Sequence, residues 1–282
     1  MALRSNWSAS ERQLAQISFP QGVIVSERVE METVVVGRGG DRELLADLYR
    51  PPTPNGCGVL LIFGGAFVQG DRTQLRGYAI ALGRAGYTSL ACDYRLAGES
   101  KWPAQIDDVL TAFTYFQDNA KSLGLSATKM AVSGNSAGGC LSLLIAGQES
   151  LGVAAAIAFY PPVDFQSEMT KATRSPPEMN YLLGDDVSPE RLTAMSPITH
   201  VGPNFPATLL LTGNCDERVD SSESVHMYES IIAAGGRAEL HVFDGLEHAF
   251  DMHPDYGQLS ASIMIQFLNS HVLNVKHAGL MS

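Results

Sequence analysis

The sequence predicts an α/β fold: one domain on a mostly parallel central sheet of about eight strands, with helices on both faces. Three observations predict it. Continuous apolar runs alternate with segments of helical periodicity, which is how a sheet covered on both faces reads. An alternating hairpin pattern precedes them. The length of 282 residues suits one α/β domain with a sizeable core, and 45% hydrophobic with 17% charged residues is ordinary globular composition.

The polar residues 1–22 read as an N-terminal arm on the surface. Between Val23 and Pro51 the runs V-E-M-E-T-V-V-V-G and R-E-L-L-A-D-L-Y-R-P, joined by G-R-G-G-D, predict an antiparallel hairpin at the sheet's leading edge. Six apolar strand runs follow, at 58–63, 88–94, 129–134, 154–160, 207–213 and 238–243. Between Pro103 and Leu123, the residues Ile106, Val109, Leu110, Phe113 and Phe116 fall on one helical face. Ala137 to Gly147, Asp220 to Ala234 and Tyr256 to Leu273 also read as helices. Asp164 to Pro206 is too long for a simple connection and follows a strand's C-terminal end, so it reads as a lid or cap insertion over 164–206.

The net charge of −11 repels nucleic acid and anionic membranes and points to a small-molecule partner. The first residues lack the apolar core of a signal peptide, and no stretch reaches the ~18 apolar residues of a membrane span, so a cytoplasmic location is expected. Cys57, Cys92, Cys140 and Cys215 are too scattered for a zinc site or a disulfide scaffold and read as free thiols. A homodimer is left open.

The chemistry centres on G-N-S-A-G, residues 134–138. A strand run precedes it and a helix pattern follows, so Ser136 falls at a sharp strand-to-helix turn eased by Gly134, Gly138 and Gly139. A serine hydroxyl needs a base to take its proton and an acid to orient that base. Asp216 follows the run 207–213 and His248 follows the run 238–243, so both loops emerge on the sheet edge that carries Ser136. Asp220 competes as the acid. His253 and His241 compete as the base, the one reading as solvated and the other as a structural histidine within a strand. His200, His226, His271 and His277 lie away from strand-to-loop junctions. No histidine and carboxylate set has metal-ligand spacing, so no metal and no cofactor are expected. The segment F-G-G-A-F, residues 63–67, follows an earlier strand and fits a backbone oxyanion site.

Together F-G-G-A-F, D-Y-R-L (93–96), W-P-A-Q-I-D-D (102–108), G-N-S-A-G, the Asp216 loop and G-L-E-H-A-F resemble the hormone-sensitive-lipase-like and BD-FAE-like esterases of the α/β-hydrolase superfamily. The resemblance covers roughly residues 30–272. It implies a Ser136, Asp216, His248 triad with oxyanion donors at the N–H groups of Gly65, Ala66 and Ala137. The chain departs from the family's H-G-G-G pattern: Phe63 stands for the histidine that commonly braces the loop, and Ala66 stands for the third glycine, where alanine is tolerable at negative φ. The function expected is serine hydrolysis of a small carboxylic ester through an acyl-enzyme. The alternatives are an amide hydrolase of formamidase type, a specialised-metabolite enzyme performing acyl transfer, elimination or cyclisation, and a ligand-binding protein on a disabled scaffold.

Overall fold

The computed structural model describes residues 28–167 and 177–274; the expected arm over 1–22 lies outside them. Eight strands form one sheet in the order β1-β2-β4-β3-β5-β6-β7-β8. The hairpin β1 (Glu30–Gly39) and β2 (Arg42–Arg50) is antiparallel with a bulge between Val35 and Gly37, and β2 joins β4 (Thr88–Cys92) antiparallel. From β4 onward every pairing is parallel, through β3 (Gly58–Ile62), β5 (Met130–Asn135), β6 (Ala155–Phe159), β7 (Ala207–Gly213) and β8 (Ala238–Phe243). Strands β3, β4, β6 and β7 are buried at every residue, as continuous apolar runs require when both faces are covered. The edge strand β8 is only partly buried.

The expected helices form as α2 (Ala104–Asp118), α3 (Ala137–Ala146), α6 (Ser221–Ala233) and α7 (Pro254–His271). In α2 the residues Ile106, Val109, Phe113 and Phe116 are buried, while Leu110 packs half-buried against the core. One helix was not expected from the sequence. Helix α1 (Arg76–Arg84) is short and carries Gly77 and Gly83, which lower its helix propensity, and it buries Ala79, Leu82 and Gly83.

Within 164–206 the described part carries α4 (Pro177–Leu183) and α5 (Pro189–Met195). Leu182, Leu183 and Met195 are buried, and Trp102 N donates to Leu182 O at 2.9 Å. The start of the segment is held by a residue that the sequence does not single out. Buried Glu223, on α6, accepts from Val163 N at 3.0 Å and Asp164 N at 2.9 Å through one oxygen.

Candidate active site

Parallel strands deliver their following loops to one sheet edge, and the site is assembled there. Strand β5 runs into Ser136 and then directly into α3. Ser136 has φ 52° and ψ −120°, left-handed backbone that is costly for a residue with a Cβ. The turn closes because its neighbours are small: a Cβ on Gly138 would run into the carbonyls of Ile62 and Phe63, and one on Gly134 into that of Gly138. The backbone is fixed by Ser136 N donating to Phe159 O at 2.8 Å and by Ser136 O accepting from Cys140 N at 3.0 Å. Ala137 is the first residue of α3, where N–H groups lack intrahelical acceptors and the helix end favours negative charge.

The loops after β7 and β8 bring Asp216 and His248 to this turn across separations of 80 and 32 positions (216 − 136 and 248 − 216). His248 Nδ1 lies 2.6 Å from Asp216 Oδ2, and His248 Nε2 lies 3.0 Å from Ser136 Oγ. The other Asp216 oxygen accepts from Arg218 N and Val219 N, both at 2.9 Å. Burial pushes the Asp216 carboxyl up, but the His248 hydrogen bond, the backbone donors and the imidazole charge outweigh it and hold it below the usual aspartate range. An ionised carboxylate only accepts, so His248 carries its proton on Nδ1 and offers the Nε2 lone pair to the Ser136 O–H. This geometry fits hydroxyl activation.

The competing residues are elsewhere. Asp220 caps α6, its carboxylate accepting from Ser222 N at 2.8 Å. His253 is solvent-facing, His241 is half-buried within β8 and stacked with Phe243 at 6.4 Å, His200 contacts Ala194 O at 3.0 Å, and His271 sits 3.4 Å from Glu239. Among the described residues, none of the four cysteines forms a disulfide and no cluster of His, Cys, Asp and Glu could hold a metal.

The loop 63–67 lies against the serine: a Cβ on Gly64 would stand 3.1 Å from Ser136 Cβ. It is braced without a histidine. Phe63 stacks on Tyr94 at 4.2 Å and 10°, Tyr94 Oη donates to Phe63 O at 3.0 Å, and Ala97 N donates to Phe67 O at 2.8 Å. Asn135 Oδ1 accepts from Gly64 N at 2.8 Å, tying the loop to the serine turn. One expectation fails here. Ala66 was tolerable at negative φ, yet it has φ 53° and is followed by Phe67 at φ 64°, beyond Gly65 at φ 123°. The bracing contacts on either side outweigh the local steric penalty of about 1–2 kcal/mol.

Three residues beneath the site have no motif to mark them. Tyr160, just past β6, packs its ring on His248 at 4.5 Å and donates its O–H to Asp251; Tyr78 donates to the other Asp251 oxygen at 2.9 Å. Their only sequence signal was position, Tyr160 at the end of a strand run and Asp251 three residues past His248. A cleft of about 810 Å³ between α1 and α7 is floored by Asn135, Tyr78 and Asp251, whereas Ser136 and His248 do not line it.

Among the described residues no helix is long and apolar enough to cross a membrane. Known proteins resemble this chain closely enough to compare. Esterase LipC of Mycobacterium tuberculosis is 29% identical over 76% of this chain and 59% of its own length. Ethyl acetate hydrolase of Pseudomonas putida is 26% identical over 78% of this chain and 80% of its own. The chain thus spans about three fifths of the first relative and four fifths of the second. Among solved structures, the propionate-bound esterase Est2 of Thermogutta terrifontis superposes with a TM-score of 0.73, at 25% identity over 84% of this chain and 93% of that one. The BD-FAE family profile matches residues 46–231, from β2 through most of α6 and across the serine turn and the Asp216 loop, and the chain therefore belongs to the BD-FAE family, on the α/β-hydrolase fold.

Proposed function

We propose that this protein is a serine hydrolase that cleaves small carboxylic esters with short acyl groups through an acyl-enzyme. One observation carries the proposal: His248 stands within hydrogen-bonding distance of both Asp216 and Ser136, with Ser136 raised on a left-handed turn at a helix start. In the first step Ser136 Oγ attacks the acyl carbon as its proton passes to His248 Nε2, and Asp216 stabilises the imidazolium that forms. The N–H groups of Gly65, Ala66 and Ala137 receive the charge on the tetrahedral oxygen. Collapse expels the alcohol with the proton from His248, and water then releases the acyl group by the same route. Neither a metal nor a cofactor takes part.

The short acyl group is supported by a relative named for ethyl acetate and by a structural neighbour that holds propionate. Four cysteines, none of them in a disulfide, favour a reducing compartment, so the cytoplasm is the location proposed. The test is a series of p-nitrophenyl esters from acetate to decanoate, with fluorophosphonate labelling read by peptide mass spectrometry. Turnover fastest on acetate to butyrate, with label on Ser136, is the expected result. Label on Ser136 without turnover of any ester transfers the reading to an amide substrate, and absence of both overturns it.

A further inference from the structure

His248 is tied to the protein scaffold through Nδ1 to Asp216, and its other nitrogen meets only the Ser136 hydroxyl that would react, so the face of the ring needs its own support. The loop 63–67 has left-handed backbone at three successive residues and needs an outside tether. Both needs meet in one chain of hydrogen bonds under the site. Gly64 N donates to Asn135 Oδ1 at 2.8 Å, Asn135 Nδ2 donates to Tyr160 Oη across a long 3.4 Å, and Tyr160 donates to Asp251 Oδ1. Tyr78 fills Asp251 Oδ2 at 2.9 Å. The same Tyr160 ring bounds His248 at 4.5 Å. Tyr160 is 1% exposed and sits at φ 37°, a strained position for an aromatic residue, with its N donating to Leu211 O at 2.7 Å.

We propose that Asp251 is a positioning residue: through Tyr160 it fixes the direction of the hydrogen-bond chain that presents Asn135 Oδ1 to Gly64 and that holds the face of the His248 ring. The inference rests on the reading of Ser136 and His248 given above. A carboxylate that accepts from two phenols forces the Tyr160 hydrogen toward itself, so Tyr160 Oη has a lone pair for the Asn135 amide nitrogen. That orients the amide with oxygen toward Gly64 N–H. An asparagine at 251 could donate to Tyr160 instead, the Tyr160 hydrogen could turn to Asn135, and the amide would then present its NH₂ to the Gly64 N–H, donor against donor.

The experiment compares wild type, D251N, Y160F and the double variant N135D/D251N, on p-nitrophenyl acetate and by the rate of fluorophosphonate labelling. D251N and Y160F are expected to lower kcat about tenfold to a hundredfold through misplacement of the loop and ring, with KM little changed. An aspartate at 135 accepts from Gly64 N–H whichever way the chain points, so N135D/D251N is expected to recover most of the kcat that D251N loses. D251N turning over at the wild-type rate, or N135D giving no recovery, overturns the proposal. Should D251N fail to fold, Y160F decides, because it removes one hydroxyl and keeps the ring: wild-type kcat in Y160F overturns the proposal, and a lowered kcat at constant KM upholds it. Absence of label and turnover in the wild type would instead mark failure of the hydrolase reading.

Discussion

The loop after β7 and the turn after His248 each bury a carboxylate beside the same histidine, and the two carboxylates respond in opposite directions. Asp216 receives two backbone N–H donors and the imidazole, and lies below the ordinary aspartate range despite burial. Asp251 receives two phenols, and there burial outweighs the tyrosine hydrogen bonds and raises it. The contrast teaches that the charge of a buried carboxylate is set by depth of burial together with the number and kind of its donors: Asp251 lies deeper and has fewer of them. A backbone amide in a turn is aligned by the chain itself, while a phenol is aligned by whatever packs its ring.

The same substitution at the two positions separates them most. D216N should lower kcat about 10⁴-fold, since an amide at that position selects the wrong imidazole tautomer. D251N should cost far less, as described above. Equal losses in steady-state kinetics would erase the distinction.

Stability against pH is the next test, and the signs are opposite. Asp216 is depressed in the fold, so its stabilisation is present above the ordinary aspartate value of about 3.9 and is lost as pH falls through the folded value. Asp251 is raised, with Tyr78, Tyr160 and His248 facing it, so its contribution is present below about 3.9 and is lost as pH rises through the folded value. Calorimetric melting across pH 3 to 8 should show D216N falling further behind wild type as pH rises, and D251N gaining on it. Parallel curves for the two variants would contradict the opposite shifts.

Smaller effects probe the loop that both regions serve. Y94F removes the donor to Phe63 O but keeps the ring stack, and should cost about 1 kcal/mol in chemical denaturation. A66G relieves a left-handed alanine at some cost in unfolded-state entropy, so stability should change by under about 1 kcal/mol and kcat should hold. A large loss of kcat in A66G would mean that the Ala66 methyl, not its N–H, matters.

The mostly parallel sheet and the Ser136, Asp216, His248 convergence were legible because each rests on local patterns, whereas the exchanged places of β3 and β4 in the sheet left no local mark. Buried parallel strands read as apolar runs, and the loops that carry chemistry follow them directly. What stayed hidden was cooperative. Helix α1 is short and carries two glycines, and Glu223 and Asp251 look like any surface acids until the fold brings backbone donors or phenols to them. The Ala66 conformation was illegible for the same reason: Asn135, Tyr94 and Ala97 hold the loop from 30 to 71 positions away, and none of them announces that task.

Among the described residues, six non-glycine positions adopt positive φ, and five of them, Ala66, Phe67, Ser136, Tyr160 and Ala249, border the site. Each such position costs on the order of 1–3 kcal/mol, so the backbone strain of the described residues is concentrated around Ser136 and His248. Asn274, just past α7, is the sixth, and asparagine tolerates that backbone, while Ser136 and Tyr160 hold their bent backbone in contact with the His248 imidazole.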